Sequence, residues 1–221
     1  VGQANKRYFL WCGLKEDQLT YAPHAVDNEF FMKDDEKRRQ EALEIREDLG
    51  IDPDAIVFLF VGKLEPIKQP IELAESFASL DATAHLIYVG SGVLEIELKE
   101  RFDSNPNFHF VGFQNQSIIP IWYRVGNVLC LPSKSETWGL AVNEALACGC
   151  KVIVSDRVGC AEDLVNQKSH GAVFRWNEAQ SLHNALKDFF NSKDPKREGI
   201  LIAGLKDFAA ALIQEMQETQ Q

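Results

Sequence analysis

Hydrophobic residues in this chain occur mainly as short continuous runs, and few segments alternate between apolar and polar positions. The runs, each closed by a glycine, a proline or polar residues, cover residues 56–61, 86–89, 108–111, 128–131, 151–154 and 172–174. A short apolar run of this kind is typical of a parallel strand that is buried on both faces. The pattern therefore predicts six buried strands.

Segments of helical character lie between and around these runs. The predicted helices cover residues 4–11, 33–49, 67–80, a segment ending at 102, 118–124, a segment after 137, 161–165, 178–191 and 195–216, and a further short strand is predicted at 19–22. Regular alternation of strand and helix indicates an α/β fold with a doubly wound parallel sheet. The sequence thus predicts a Rossmann-like domain.

The order of these segments suggests three parts. Residues 28–194 carry the alternating pattern and form the predicted main domain, and residues 195–221 form a C-terminal helix. Residues 1–27 have no sheet of their own. They are interpreted as the tail of a preceding domain or as a piece added to the sheet edge.

Composition narrows the class of protein. The 221 residues are 45% hydrophobic and 25% charged, as in an ordinary globular protein. A net charge of −10, with no cluster of Lys or Arg to offset it, argues against nucleic acid as the main partner. Five cysteines without paired zinc-ligand spacing, and no apolar run as long as a membrane span, predict a cytoplasmic protein with reduced thiols.

Two glutamates on either side of a predicted helix start are the first candidates for function. Glu136 follows the fourth strand, at the sheet edge where open α/β sheets bind ligands. Glu144 falls on the second turn of the next helix, and its side chain leans back toward the helix N-terminus. The spacing therefore predicts that both carboxylates border one space, although a solvated loop acid and a charged helix face would give the same pattern.

The start of that helix offers groups that suit an anion. Thr137 is the expected N-cap, and the free backbone N–H groups of Trp138, Gly139 and Leu140 are expected to point into the same space. Such donors, together with the helix dipole, favour phosphate. Phosphate donors beside two carboxylates suit a ligand with both phosphates and hydroxyl groups, and a nucleotide sugar fits that description.

Two lysines follow the first strand. Pro66 suits the first position of a helix, so Lys68 is predicted in the first turn, where a cation opposes the helix dipole by a few tenths of a kcal/mol to about 1 kcal/mol. That position makes sense if Lys68 faces an anion. Lys63 leaves the same strand end toward the same crevice. The alternative is a pair of ordinary exposed lysines.

Other candidates depend on weaker signals. Gly112 and Phe113 end the third strand and could meet a nucleobase, or could be a structural glycine and a core aromatic residue. Trp138 either walls the sugar pocket or simply packs. Among the scattered histidines, only His24, in a predicted turn, has a position suited to catalysis. Neither GxGxxG after the first strand nor a P-loop motif is present, which disfavours dinucleotide and P-loop nucleotide binding.

Taken together, these motifs resemble the C-terminal half of the retaining GT-B glycosyltransferases of family 4. The matching segments are Gly62-Lys63 with Lys68, Pro132-Ser133 with Glu136 and Glu144, residues 152–159, and the turn at residues 23–27, which resembles the hinge of that family. Three positions depart from the family pattern. Lys63 stands where arginine is common, Trp138 where phenylalanine is common, and Cys160 where a second glycine is frequent.

The resemblance implies a donor-binding domain for a nucleoside-diphosphate sugar of the UDP or GDP type, acting without a metal ion or other cofactor. Lys63 and Lys68 would bind the diphosphate and stabilise the leaving group, and Glu136 would hold hydroxyls of the donor sugar. These three are the predicted catalytic residues.

The resemblance also implies the remaining donor contacts. Glu144 would bind the ribose hydroxyls, and the amides of Gly139 and Leu140 would bind the distal phosphate. The other predicted donor-binding residues are Gly62, Gly112, Phe113 and Trp138.

The resemblance further implies that residues 1–27 are the remnant of an acceptor-binding domain and its hinge. On that basis the fragment is expected to bind donor weakly and not to transfer sugar alone, and any peripheral membrane association is expected only through the absent domain. The alternatives are a nucleotide-sugar-binding module without transfer activity and another GT-B enzyme, such as a glycogen-synthase-like transferase.

Overall fold

The predicted parallel sheet is present. The computed structural model describes residues 1–33, 36–80, 83–165, 170–178, 180–192, 204, 208–211 and 213. The strands are β1 (Val57–Val61), β2 (His85–Val89), β3 (Phe108–Gly112), β4 (Val128–Leu131), β5 (Lys151–Ser155) and β6 (Gly171–Phe174). They pair in the order β3-β2-β1-β4-β5-β6, and every pair is parallel. All six predicted strands are confirmed to within one residue at each end.

Helices cover both faces of this sheet. Those within the described residues are α1 (Gly2–Trp11), α2 (Asn28–Met32), α3 (Glu36–Asp48), α4 (Pro70–Phe77), α5 (Glu95–Phe102), α6 (Ile119–Val125), α7 (Leu140–Ala147), α8 (Ala161–Leu164) and α9 (Ser181–Ser192). Helices α2, α3, α6, α7 and α8 contribute to the hydrophobic cluster on one face, and α4, α5 and α9 contribute to the cluster on the other. The doubly wound, Rossmann-like fold class is confirmed.

Burial on both faces explains why the strands are continuously apolar. In β1, Val57 and Leu59 belong to one hydrophobic cluster, whereas Phe58 and Phe60 belong to the cluster on the opposite face. All four side chains are fully buried. Because each contributes about 1.5–3 kcal/mol on transfer from water, a polar residue at any of these positions would be costly.

A buried arginine ties α3 to the amino-terminal edge of the sheet. The Arg46 guanidinium is 6% exposed and donates hydrogen bonds to the carbonyl oxygens of Pro53, Ala55 and Val125, and to Asn127 Oδ1 at 2.9 Å. The Asn127 side chain in turn accepts the N–H of the first β1 residue at 2.8 Å. Arg46 is therefore a structural residue on the edge of the sheet opposite the carboxyl ends of the strands.

The amino-terminal segment packs against the sheet domain without adding a strand. Arg7 of α1 makes a two-pronged ion pair with Glu162 of α8, with N–O distances of 2.9 and 2.6 Å, and the Gln3 N–H donates to Asp163. The strand predicted at residues 19–22 is wrong, because this stretch has irregular backbone. The sheet ends at β3 on one side and at β6 on the other, and residues 19–22 pair with neither of these edge strands. Without a neighbouring strand to hydrogen-bond to, the segment does not form a strand.

Several predicted helices differ by one to three residues at an end, two begin differently because the chain is interrupted before them, and one lies mostly outside the described residues. The segment 67–80 begins as a 3₁₀ turn at Pro66–Lys68, and α4 starts only at Pro70, because Gln69 adopts a left-handed conformation with φ 57°. Proline disfavours the right-handed helical conformation in the residue before it, which explains why Gln69 interrupts the helix ahead of Pro70. The segment 33–49 is helical from residue 36 and is preceded by the separate helix α2. Of the predicted helix 195–216, the structure describes only residues 204, 208–211 and 213, and helix is assigned at 208–211 and 213.

Candidate functional site

Two adjoining cavities lie at the carboxyl ends of the central strands. The strand order reverses between β1 and β4, and this switch point is where open α/β sheets bind ligands. One cavity, called here the Lys68 cavity, has a volume of about 390 Å³, and the other, the Phe113 cavity, has a volume of about 450 Å³. Val61 and Gly62 at the end of β1 line both, so the two cavities adjoin there, and together they are called the crevice.

The Lys68 cavity gathers most of the residues that the sequence singled out. The predicted site residues that line it are Gly62, Lys68, Glu136, Trp138, Gly139 and Leu140. They come from the β1–α4 connection, the β4–α7 loop and the first turn of α7. The fold therefore brings together segments that lie about seventy residues apart in the chain.

Lys68 and Glu136 form an ion pair inside this cavity. The Lys68 Nζ donates to Glu136 Oε2, and the two side chains are only 24% and 18% exposed. Lys68 reaches the cavity from the end of the 3₁₀ turn that precedes α4, and so it is not in the first turn of α4 as predicted. The pair places a cation and a carboxylate side by side at the N-terminus of α7.

Backbone hydrogen bonds between two loops hold Glu136 in position. The Glu136 N–H donates to the Arg157 carbonyl at 3.2 Å, the Gly159 N–H donates to the Glu136 carbonyl at 2.9 Å, and the Cys160 N–H donates to the Trp138 carbonyl at 3.0 Å. A Cβ at Gly159 would lie only 2.0 Å from the carbonyl oxygen of residue 137, so this junction requires glycine. The sequence had singled out this glycine through the family resemblance of residues 152–159, but its hydrogen bonds to the β4–α7 loop were not predicted.

Cys160, which departs from the family pattern, is part of this junction. It is fully buried as the residue before α8, and burial raises the pKa of its thiol to about 12. The residue is therefore a packed, neutral thiol behind the β4–α7 loop.

The N-terminus of α7 presents free donors to the cavity. The residue before the helix is Gly139, with a left-handed φ of 96°, so the prediction of Thr137 as the N-cap is wrong. Glycine adopts this conformation without a Cβ clash, which lets the chain turn directly into the helix. For Gly139, Leu140 and Ala141, no N–H group finds a protein acceptor within the described part of the chain. Such donors and the helix dipole favour an anion.

Trp138 is both a packed aromatic residue and a wall of the cavity. It is 4% exposed, and its indole N–H donates to Asn143 Oδ1 at 2.9 Å. On one side it contacts Gly2, where a Cβ would lie 2.5 Å from the indole ring. The His24 ring lies against it, with ring centroids 5.4 Å apart, and His24 also lines the Lys68 cavity.

Glu144 lies farther along α7 and has a partner that the sequence did not reveal. Its Oε2 accepts a hydrogen bond of 2.9 Å from the hydroxyl of Tyr123, which is fully buried on α6. Burial raises the pKa of Glu144, and the Tyr123 hydrogen bond counteracts part of that rise. Glu144 is not among the residues that line the Lys68 cavity or the Phe113 cavity, and that its carboxylate borders one space with that of Glu136 stays a prediction.

Lys63 and Phe113 belong to the second cavity. The Lys63 side chain is 77% exposed, and its Nζ lies 3.8 Å from a Glu65 carboxylate oxygen. Phe113 is 75% exposed, so the alternative that placed it in the core is wrong. Gly112 adopts a left-handed φ of 70°, and its carbonyl accepts the N–H of Gly90 at 2.8 Å. The two lysines thus face different ends of the crevice.

The described residues form neither a cluster of metal ligands nor a membrane-spanning helix. In that part of the chain, no three His, Cys, Asp or Glu side chains gather as metal ligands would. Over the same ranges, each helix is too short or too polar to cross a bilayer.

The fold and the crevice together define a class of protein. A parallel sheet in this order, with a cavity at the switch point and free N–H donors at a helix N-terminus, is the architecture of a Rossmann-like nucleotide-binding domain. The family profile described as "Glycosyl transferases group 1" matches residues 41–204. The chain belongs to this family.

Named relatives agree with the family. A D-inositol 3-phosphate glycosyltransferase 2 from Catenulispora acidiphila is 33% identical over 139 residues, which cover 56% of this chain and 33% of the relative. A D-inositol 3-phosphate glycosyltransferase from Stackebrandtia nassauensis is 29% identical over 209 residues, covering 88% of this chain and 45% of the relative. The chain thus spans between a third and a half of the length of these relatives.

Solved structures show the same fold. Anabaena HepE in complex with UDP superimposes with a TM-score of 0.76 at 19% identity, over 99% of this chain and 62% of that chain. Sucrose-phosphate synthase from Thermosynechococcus elongatus gives a TM-score of 0.75 at 22% identity, over 100% of this chain and 57% of that chain. The resemblance to the C-terminal half of the GT-B architecture is confirmed.

Proposed function

We propose that this chain is the donor-binding domain of a retaining glycosyltransferase that transfers a sugar from a nucleoside-diphosphate sugar to an acceptor without a metal ion. The observation that carries the proposal is the Lys68–Glu136 pair in a cavity at the N-terminus of α7. A cation, a carboxylate and free N–H donors at one point suit a ligand that joins phosphates to a sugar.

The diphosphate interacts with Lys68 and with the amides of the first turn of α7. Negative charge develops on the diphosphate as the bond to the sugar breaks, and fixed positive groups lower the energy of that transition state. The partial burial of Lys68 strengthens this effect, because the charge is less screened than on an open surface. Lys63 lies in the other cavity and interacts with the nucleotide from its exposed side.

The remaining proposed contacts come from Glu136 in the Lys68 cavity, from Glu144 farther along α7, and from Gly112 and Phe113 at the end of β3. Glu136 accepts hydrogen bonds from hydroxyls of the donor sugar, and Glu144, held by Tyr123, accepts them from the ribose. The exposed ring of Phe113 and the backbone around Gly112 suit the planar base. The complexes of Anabaena HepE with UDP and with UDP-glucose, although they share only the fold with this chain, support a uridine nucleotide as the first probe.

Calorimetric titration of the chain with UDP, GDP and ADP, in the presence of EDTA, tests the donor site. We expect one nucleotide to bind, and Lys68→Ala to weaken that binding about 10- to 100-fold, since a hydrogen bond to a charged group is worth about 1.5–3 kcal/mol. Lys99→Ala is the matched control, because Lys99 makes a similar ion pair with Glu95 on α5 and lies outside both cavities. A folded chain that binds no nucleotide at millimolar concentration contradicts the proposal.

Transfer requires a separate measurement. Because the chain spans only a third to a half of the length of its relatives, we do not expect these 221 residues to transfer sugar on their own. Proton NMR of the sugar released when the donor is slowly hydrolysed tests retention. A retaining mechanism releases the sugar with the anomeric configuration that it had in the donor, before mutarotation mixes the two anomers. Nucleotide binding without donor turnover in a longer chain would favour the alternative, a nucleotide-sugar-binding module.

A further inference from the structure

The His24 side chain lines the Lys68 cavity and takes no part in the contacts proposed above. His24 lines this cavity together with Lys68 and Glu136, and its ring packs on Trp138. Within the described part of the chain, no group makes a hydrogen bond to the His24 imidazole. A ring that packs on an indole and lines a cavity beside Lys68 and Glu136 has both of its nitrogens available to a ligand or to water.

The loop that carries His24 is fixed on both sides. Pro23 is buried, and Val26 is 7% exposed within the hydrophobic cluster under α7. Asp27 then caps α2, accepting the Phe30 N–H at 3.0 Å. These anchors hold His24 at the cavity wall at little entropic cost.

The chemistry of the ring distinguishes it from the other polar groups of the cavity. Burial lowers the pKa of His24 below its ordinary value of 6.5, so the imidazole is neutral near pH 7. A neutral imidazole donates one hydrogen bond and accepts another, which matches a sugar hydroxyl. Phosphate oxygens only accept, and Lys68 with the N–H groups of α7 already supplies donors for them.

We propose that His24 binds a hydroxyl group of the donor sugar and is a specificity-determining residue for that sugar. The inference rests on the proposed function, because it requires a nucleoside-diphosphate sugar in the Lys68 cavity. It goes beyond the two carboxylates and two lysines by assigning sugar recognition to the segment that precedes α2. Its Trp138 neighbour provides the rigid wall that fixes the orientation of the ring.

The test compares a nucleotide with its sugar derivative. The nucleoside diphosphate that binds the wild-type chain, and its glucose and mannose derivatives, are titrated into wild type, His24→Ala and His24→Gln. His183→Ala is the control, because His183 lies on α9 and lines neither cavity of the crevice. Thermal melting of each variant establishes that it is folded.

We expect His24→Ala to weaken binding of the preferred sugar derivative about fivefold, as expected for one lost hydrogen bond to an uncharged group, and to leave the affinity for the plain diphosphate within about twofold. His24→Gln, which keeps a donor and an acceptor, recovers part of the loss. Equal losses for the diphosphate and its sugar derivative, or no loss for either, would overturn the inference while leaving the donor site intact. Absence of nucleotide binding by the folded wild type would instead refute the proposed function, and this inference with it.

Discussion

Replacing Tyr123 by Phe removes one buried hydroxyl group and little else. Tyr123 is fully buried, and its hydroxyl donates to Glu144 Oε2 at 2.9 Å. The chain contains a matched control in Tyr88, which is equally buried but donates to the neutral carbonyl of Pro70 at 2.7 Å. The two substitutions therefore differ mainly in the charge of the acceptor that loses its donor.

The acceptor determines the size of the effect. A hydrogen bond to a charged group contributes about 1.5–3 kcal/mol and one between neutral groups about 0.5–1.5 kcal/mol. For a chain of this size, the loss expected for Tyr123→Phe corresponds to roughly 3–12 °C in melting temperature. We expect Tyr88→Phe to cost about half as much free energy of unfolding or less.

The dependence on pH separates the two variants further. Burial raises the folded-state pKa of Glu144 above its unfolded value, and the Tyr123 hydrogen bond lowers it again in part. Tyr123→Phe therefore raises the folded-state pKa, which destabilises the protein wherever the carboxylate is ionised, above that pKa. The penalty shrinks as the pH falls through the folded-state pKa, because Glu144 is then protonated in the folded state of both the wild type and the variant.

Urea denaturation of wild type, Tyr123→Phe and Tyr88→Phe at about pH 7.5 and about pH 4.5 measures both effects. We expect the Tyr123→Phe loss to be clearly smaller at the lower pH, and the Tyr88→Phe loss to be the same at both. Equal losses for the two variants at each pH would refute the assignment of Tyr123 as the residue that holds an ionised Glu144.

Three further predictions concern the framework of the site. Arg46→Leu leaves several buried carbonyls without a donor and should lower the free energy of unfolding in urea by about 3 kcal/mol or more, whereas Arg39→Leu on the exposed side of α3 should change it little. Gly159→Ala places a Cβ 2.0 Å from the Thr137 carbonyl oxygen, so it should lower the free energy of unfolding by about 1–3 kcal/mol. It should also weaken nucleotide binding in calorimetry, and an unchanged affinity would contradict the role of this loop junction in positioning Glu136. Burial lowers the pKa of His109 from 6.5 to about 4, so between these pH values the unfolded state binds a proton that the folded state does not, and the wild type loses stability as the pH falls. Scanning calorimetry should show a smaller loss over this pH range for His109→Gln, which cannot bind that proton.

The strands were predictable because their signal is local. Each central strand is buried on both faces, which requires an apolar residue at every position and leaves little doubt about its bounds. The start of α4 was not predictable in the same way, since Pro66 and Pro70 both suit a first helical position. In the structure Gln69 adopts a left-handed conformation that separates the 3₁₀ turn from the helix, so α4 begins at Pro70.

The candidate site was predicted in its charged members but not in their partners. Lys68 and Glu136 are polar residues at strand ends, and such positions stand out in a sequence. Tyr123 was not among the candidates, because nothing in the sequence shows that the hydroxyl of this aromatic residue reaches Glu144. The junction at Gly159 consists of backbone hydrogen bonds, which any residue can make, so no side chain in the sequence predicts these contacts.

The mutual contact of Lys68 and Glu136 has a consequence for competition between ligands. Each side chain already neutralises the charge of the other. The free energy that a ligand gains by binding one of them is therefore reduced by the energy of the ion pair that it breaks. Free phosphate would draw Lys68 away and leave the carboxylate without a partner, and a free sugar would do the reverse. A molecule that carries both parts compensates both residues at once. On the proposed function, joining the two parts covalently therefore yields tighter binding than their separate affinities combine to give, so the nucleotide sugar binds more tightly than its nucleoside diphosphate.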